Sequence, residues 1–458
     1  MKVIVCGAGQ VGFGIARRLA AENNDVTVID QSPELVTEIS EQLDVQGIVG
    51  HGAHPDSLER AGAREADMLI AVTFFDEVNM VACQVGHSIF NIPLKIARVR
   101  AGAYLEREWA DLFSRAHMPI DEIISPELEV AKSIMRRLAV PGAFVTYDFE
   151  DRKVQLVGTH LDDDCPVLNT PLRQLTELFP DLAAIVTGIS RDGRMIVPKP
   201  SDQLMAGDNI YFIADREHVP RTLDIFGHEE VEARRVIILG GGNIGLYLAR
   251  QLEASRQKVN VKIIEQNKAR AEFVADQLDR TVVLNGDGLN RDILIEAGAH
   301  EAETIVALTD RDQVNILASV LAKKEGCERA LCLVNDRSYT SLSEGLNIDA
   351  FIDPRATTVS TILRHVRRGR IRDLQSIENG EAEVIEAEAL ETSTLVGKPL
   401  REAELPDGII IGSIVREGEV IVPRGSTVVQ TKDRVILFAE KDMVKEVERM
   451  FRVSLEYF

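Results

Sequence analysis

The chain has 458 residues, a length that suggests about three domains, and its 45% hydrophobic and 27% charged residues are the balance of a globular rather than a disordered protein. Its formal net charge of −21 at pH 7 repels nucleic-acid phosphates and anionic lipid, which argues against a nucleic-acid binder. No apolar run approaches the roughly 18 residues of a membrane-spanning helix, and Val3–Cys6 is too short for a secretory signal. Five cysteines without a Cys-x-x-Cys argue against a disulfide framework or a zinc site, and read as small buried apolar residues in a reducing cytoplasm.

In chain order, short runs rich in β-branched residues at Val3–Cys6, Val26–Ile29, Met68–Val72 and Ile96–Val99 read as buried parallel strands. Helical patterns lie between them at Gln10–Glu22, Pro33–Leu43, Asp56–Ala61 and Glu77–Phe90. Ser125-Pro126-Glu127 opens a further helix to Leu138, with proline in the tolerated first turn. Such alternation predicts a doubly wound α/β sheet. The pattern then changes. Short strands at Ala183–Ile189 and Ile210–Ala214, turn signals at Arg191-Asp192-Gly193 and Ala206-Gly207-Asp208, and a short helix at Pro171–Leu178 predict a small α+β domain. A domain of about 80 residues has little core of its own, so it is expected to dock or pair.

All of this then repeats. Gly7-Ala8-Gly9-Gln10-Val11-Gly12 returns as Gly240-Gly241-Gly242-Asn243-Ile244-Gly245, 233 residues later. Leu58–Ala63 matches Leu294–Ala299. Ala71-Val72-Thr73 with Asp76, Val78 and Asn79 matches Ala307-Leu308-Thr309 with Asp312, Val314 and Asn315. The first copy is longer around Trp109–Met118. Asn169–Arg173, Ile196-Val197-Pro198 and Gly207–Phe212 match Gly397–Arg401, Ile421-Val422-Pro423 and Thr431–Phe438, where Val435–Ala439 reads as a strand. The expected architecture is therefore α/β: two Rossmann-like doubly wound parallel-sheet domains, at 1–140 and 234–372, each followed by a small α+β domain, at 141–228 and 373–458.

Each glycine motif follows a strand and opens a helix, the context that makes it a dinucleotide fingerprint. Gly7 and Gly240 suit the tight turn, Gly9 and Gly242 the approach to a pyrophosphate, and Gly12 and Gly245 the packing of helix on strand. The helix starting at Gln10-Val11, or Asn243-Ile244, offers free N–H groups to the anion. The next strand ends in Asp30, or Glu265. A carboxylate there accepts from ribose hydroxyls and repels a 2′-phosphate, favouring NAD(H) or an adenine nucleotide over NADP. Gly50-His51-Gly52 and Gly286-Asp287-Gly288 lie at the same sheet edge. His51 replaces an acid and Asp287 can touch the nucleotide, so the two crevices are not equivalent. Thr73 and Thr309 are expected to face them. Arg98 and Arg100 close the fifth strand, where an arginine suits either phosphate or a surface ion pair. The second copy has Leu333 and Asn335 there.

The basic run Arg364–Arg372 reads as a docking patch or a solvated helix end, and Asp162-Asp163-Asp164 as a solvated turn. No catalytic residue and no metal site is expected. The motifs of hydrolases, Walker NTPases and metal centres do not occur, and the small domains supply no acid/base pair. A sensor is favoured over the alternative, an NAD-dependent oxidoreductase.

Further stretches sharpen this into a resemblance: His54-Pro55, Asn79-Met80-Val81-Ala82-Cys83-Gln84-Val85, Ala97-Arg98-Val99-Arg100 and Pro141-Gly142-Ala143. With the glycine motifs and Asp30 they make the whole chain resemble the TrkA family of regulatory proteins of Trk potassium uptake. The resemblance implies tandem RCK (or KTN) domains, each with a TrkA-C domain. It implies NAD(H) and ATP/ADP as controlling ligands, and a homotetramer that forms a ring of eight domains. It also implies a cytoplasmic protein held peripherally at the inner membrane by an integral potassium translocator of the TrkH/TrkG type.

Overall fold

Four of the five residues in Lys2–Cys6 are buried and apolar, and this segment forms β1 at the centre of a six-stranded sheet. The computed structural model describes residues 1–179, 182–229, 232–255, 258–336, 338–339, 343–366 and 371–451. It has two compact units, Met1–Lys132 with Arg235–His365, and Ser133–Arg234 with Val366–Phe458.

After β1 come α1 (Gln10–Ala21), β2 (Asp25–Asp30), α2 (Pro33–Gln42), β3 (Gln46–Val49), α3 (Pro55–Arg60), β4 (Met68–Ala71), α4 (Asp76–Ser88), β5 (Leu94–Arg98), β6 (Glu122–Ile124) and α5 (Pro126–Ala139). The strands are all parallel, in the order β3-β2-β1-β4-β5-β6. This is the Rossmann order, with its switch point between β1 and β4. β4 is buried at every residue, as its unbroken Met-Leu-Ile-Ala run requires. Ser32 starts α2 by accepting from the Leu35 N–H, with Pro33 in the first turn. The expected strands and helices are present. Val72 and Val99, however, lie beyond β4 and β5, because the chain already turns toward Asn79 and Asp76. Short 3₁₀ turns at Gly102–Leu105 and Arg107–Phe113 fill the extra length of this copy.

The second copy has β12 (Arg235–Leu239), α8 (Asn243–Ala254), β13 (Asn260–Glu265), α9 (Lys268–Asp276), β14 (Val282–Asn285), α10 (Arg291–Ala297), β15 (Thr304–Ala307), α11 (Asp312–Lys324), β16 (Arg329–Leu333), α12 (Ser343–Leu346), β17 (Ala350–Ile352) and α13 (Pro354–Val366). Its order, β14-β13-β12-β15-β16-β17, is the same. The two parallel sheets form one unit, joined in part by α13. Thr361 Oγ1 lies 3.5 Å from Glu129 Oε2 and His365 Nδ1 3.3 Å from Glu122 Oε1. A Cβ on Gly14 would stand 3.0 Å from Val359.

The other unit holds two antiparallel sheets. The first has β7 (Ala143–Phe149), β8 (Val154–His160), α6 (Leu172–Leu178), β9 (Ala184–Arg191), β10 (Arg194–Ile196), β11 (Asn209–Asp215) and α7 (Val219–Ile225). The second has β18 (Ile371–Ile377), β19 (Ala382–Glu388), β20 (Ile409–Arg416), β21 (Glu419–Ile421), β22 (Arg434–Glu440) and α14 (Val444–Met450). Strand orders are β10-β9-β11-β8-β7 and β21-β20-β22-β19-β18. The expected pairing of these small domains is present: Tyr147, Leu156, Tyr211 and Ile213 share one core with Ile377, Val384, Ile436 and Phe438. The fit is reciprocal. A Cβ on Gly188 would stand 2.7 Å from the Phe438 ring, and one on Gly412 would stand 2.4 Å from Ile213. Each domain also repeats a buried bidentate pair. Arg191 reaches Asp208 through two bonds of 2.7 Å, and Arg416 reaches Asp433 through bonds of 2.9 and 2.8 Å.

All five cysteines are buried, as expected. Of the basic run Arg364–Arg372, residues 367–370 lie outside the described residues. His365 meets Glu122, and Arg372 Nη2 lies 2.6 Å from Glu388. No helix among the described residues is long and apolar enough to cross a membrane.

Candidate functional site

The glycine turns follow β1 and β12 at the carboxyl edge of each parallel sheet. Gly7 N–H donates to the Ile29 carbonyl at 2.8 Å and Gly240 N–H to that of Ile264 at 2.9 Å. Their φ values of +112° and +105° are open only to glycine without strain. A Cβ on Gly12 would stand 1.8 Å from the Gly7 carbonyl oxygen, and one on Gly245 would stand 2.1 Å from that of Gly240. These four glycines are demanded by the protein itself.

Gly9 and Gly242 are not. Their φ values are −64° and −63°, and a Cβ at either position would meet nothing within 4 Å. Neither backbone conformation nor internal packing calls for glycine there, yet both copies have it. Open space beside a backbone that could carry a side chain suits close approach by something outside the chain. Gly9 and Gly242 are also the N-caps of α1 and α8, and no side chain caps either helix. The first-turn N–H groups, those of Gln10 and Val11 or Asn243 and Ile244, have no partner within the helix. Together with the helix dipole they make an anion cradle.

The carboxylates predicted from sequence sit beside these cradles and also shape them. Asp30 Oδ2 accepts from the Ala8 N–H at 2.7 Å and Oδ1 from Ser32 N–H at 2.9 Å. Glu265 Oε2 accepts from Gly241 N–H at 2.7 Å and Oε1 from Asn267 N–H at 2.8 Å. A carboxylate has about four acceptor positions, so each acid retains capacity for ribose hydroxyls while holding its turn.

On the other side of the switch point, Thr73 and Thr309 are each engaged by an asparagine that recurs in both copies and to which sequence alone gives no role. Asn79 Oδ1 accepts from Thr73 N–H (2.8 Å) and Oγ1 (2.7 Å), while its Nδ2 donates to the carbonyls of Thr73 (3.1 Å) and Arg98 (2.9 Å). Asn315 does the same with Thr309 and Leu333. Both asparagines are fully buried. Asp76 likewise accepts from the Arg100 and Ala101 N–H groups, and Asp312 from those of Asn335 and Asp336. These four residues tie the loops after β4 and β5 (or β15 and β16) together. Their recurrence in both copies was the available signal.

The crevices differ in what surrounds the cradle. In the first, Arg98 is half-buried and its Nε has no hydrogen-bond partner. Burial, then the neighbouring Arg100, holds its guanidinium below the ordinary value. Arg100 pairs with Glu127 at 2.8 Å and lies over the exposed Phe74 ring at 5.5 Å. His51 stacks on His54 at 4.2 Å and accepts from Ala53 N–H through Nδ1, while Gly52 packs on Cys6. In the second, Asp287 accepts from Leu289 N–H at 3.0 Å. Arg270 donates to the Gly241 carbonyl at 2.7 Å, and Arg311 lies 3.3 Å from Gln266 Oε1. Among the described residues no cluster could hold a metal ion.

Comparison with known proteins follows the same division. The TrkA-N domain model matches residues 3–126 and 236–354, and the TrkA-C domain model residues 160–227 and 384–452. The Trk system potassium uptake protein TrkA of Azorhizobium caulinodans is 55% identical over 458 residues, 100% of both chains. The protein of the same name from Halomonas elongata is 42% identical, again over 100% of each. Among solved structures, the GsuK RCK domain superposes with a TM-score of 0.59 at 17% identity, covering 98% of this chain and 94% of that one. The GsuK channel bound to NAD superposes with a TM-score of 0.59 at 16% identity, covering 98% and 78%. At such identities these structures speak for the fold.

Proposed function

The chain belongs to the TrkA family of Trk-system potassium uptake proteins, and from that premise we propose that it is a nucleotide-binding regulatory subunit that gates potassium uptake. One observation carries the nucleotide reading. Twice in the chain a glycine that the protein does not need stands at the uncapped start of a helix, beside a carboxylate at the end of the next strand.

The fit to a nucleotide is good on these residues. Gly7, Gly9, Gln10, Val11 and Gly12 would hold the pyrophosphate of NAD(H), or the phosphates of ATP or ADP, on backbone N–H groups, and Asp30 the ribose. His51, Gly52, Thr73 and Arg98 complete the first site. Gly240, Gly242, Asn243, Ile244, Gly245, Glu265, Asp287 and Thr309 form the second. The ligand acts by binding alone, and no catalytic residue is assigned. It shifts the gate only by its differential affinity for two arrangements of the domains. The subunit would sit on the cytoplasmic face of the inner membrane, as a homotetrameric ring of eight domains beneath an integral TrkH/TrkG-type translocator. We divide the chain at 1–140, 141–228, 234–372 and 373–458.

The test is titration of the purified protein with NAD, NADH, ATP and ADP, with Asp30→Ala and Glu265→Ala made separately. Each variant should weaken one class of site at least about ten-fold, a loss of ~1.4 kcal/mol. Unchanged affinity for all four nucleotides in both variants would remove the assignment.

A further inference from the structure

The two antiparallel domains exchange hairpin tips across their shared core. Glu150–Arg152 joins β7 to β8, and Glu378–Gly380 joins β18 to β19. Glu378 Oε1 accepts from Tyr211 Oη of the first domain at 2.5 Å. In return the Glu150 N–H donates to Glu386 Oε2 of the second domain at 3.0 Å, and Tyr147 Oη donates to Asp373 Oδ1 at 3.0 Å.

The two ends are chemically unequal. One is a phenol on a carboxylate. At the other, carboxylates of both domains converge on one guanidinium. Arg434 Nη1 is 3.4 Å from Glu386 Oε1 and 3.6 Å from Glu150 Oε2, and its Nε is 3.9 Å from Glu388. Glu388 already has Arg372 at 2.6 Å. Asp373 adds further negative charge. The nearby cations of the hairpin are turned elsewhere: Arg152 lies 3.9 Å from Asp148, and Lys153 donates to the Gly418 carbonyl. Among the described residues Arg434 is the cation that reaches both acids, and one arginine cannot neutralise both; Glu386 is only 4% exposed and Glu150 is half-buried.

One further fact separates this arrangement from a requirement of the fold. The strands and hairpins of the two domains correspond residue for residue here, and Gly158 stands in β8 where Glu386 stands in β19. The Glu150 tip has φ of +42°, +50° and +73° at Glu150, Asp151 and Arg152, and the tip of the second hairpin likewise has +46° at Glu378 and +96° at Gly380, so positive φ here belongs to the shared hairpin turn.

We propose that Glu150 and Glu386 form a proton-operated latch between the two antiparallel domains, closed when the pair holds a proton and loosened when it loses it. In the closed state one carboxyl donates to the other and Arg434 serves the remaining charge. Without the proton, two carboxylates face each other across the seam. Burial above all, then the charges of Glu150 and Asp373, raises the Glu386 carboxyl to about 7, while the Glu150 N–H pulls the other way. A raised carboxyl favours the docked state at low pH, and that stability is lost as pH rises through about 7. The latch would give the subunit an input from proton concentration that is separate from its nucleotide sites.

Hydrogen exchange by mass spectrometry on the full-length protein at pH 6 and pH 8, corrected for intrinsic exchange, reads the tip directly in peptides covering 143–160. A single group titrating near 7 changes the docking equilibrium about ten-fold over this interval. The wild type should lose about ten-fold protection at pH 8. Glu386→Gln, an uncharged isostere, should abolish that dependence, and Glu150→Gln should do so from the other partner. The proposal is overturned if corrected protection in the wild type is equal at the two pH values, or if both variants keep its pH dependence.

Discussion

Replacing Gly9 by alanine separates what the fold needs from what a ligand needs. The added methyl group meets no protein atom within 4 Å, and φ −64°, ψ −176° is ordinary extended backbone. Alanine narrows the unfolded ensemble but is a poorer helix N-cap than glycine, and the two effects oppose, so the unliganded variant should stay within about 1 kcal/mol of the wild type. Gly12→Ala is the opposite case. Its Cβ would lie 1.8 Å from the Gly7 carbonyl oxygen, a backbone atom that cannot rotate away. Relief requires helix α1 to move off β1, at a cost of about 3 kcal/mol or more. A phosphate drawn to the N–H groups of α1 would meet the Gly9→Ala methyl group in the space now open. Its affinity should fall between ~10- and ~100-fold, or ~1.4–2.7 kcal/mol. The assay is calorimetric titration with NADH and ADP beside thermal unfolding without nucleotide. Gly242→Ala is measured in parallel, so that loss at one crevice is not hidden by the other. If Gly9→Ala melts like the wild type and binds both nucleotides equally well, the open space is not where the phosphates go. If instead it loses several degrees without nucleotide, the premise that the protein does not need this glycine is wrong.

Three further outcomes are expected. Asn79→Ala should destabilise the protein by about 2–4 kcal/mol in denaturant unfolding, because four bonds converge on a side chain with no access to water, and Asn315→Ala should behave alike. Asp208→Asn leaves Arg191 without its counter-charge next to a 1% exposed position, and a loss of about 2–4 kcal/mol is expected, moderated by the partial exposure of Arg191; Asp433→Asn should match it. Burial pushes the Cys6 and Cys332 thiols up to about 12 and Cys327 to about 11, so at pH 8 the native protein should react with Ellman's reagent only over hours, and all five thiols should react at once in guanidinium. Rapid reaction of any thiol in the native state would show that its segment opens readily.

Local signals were enough for the architecture. Val3–Cys6 and Met68–Ala71 announce buried parallel strands because burial on both faces leaves no polar alternation. Gly7, Gly12 and Asp30 announce a nucleotide turn because their spacing is set by one strand, one helix and the next strand. The repeat then doubled every such signal. What lay beyond the sequence depends on partners far away along the chain. Asn79 looks like any helix-face asparagine until β4 and β5 bring Thr73 and Arg98 to it. Tyr147 and Asp373 are 226 residues apart, and nothing local to either predicts their bond. The −21 charge says nothing of where two acids are forced together. Only the packing of the two small domains on one core puts Glu150 against Glu386 and brings Arg434 to both. Periodicity and turn chemistry act within some ten to thirty residues and can be read in order. Burial and charge environment are properties of the assembled chain, and they decided which of its residues are clamps and which are pairs.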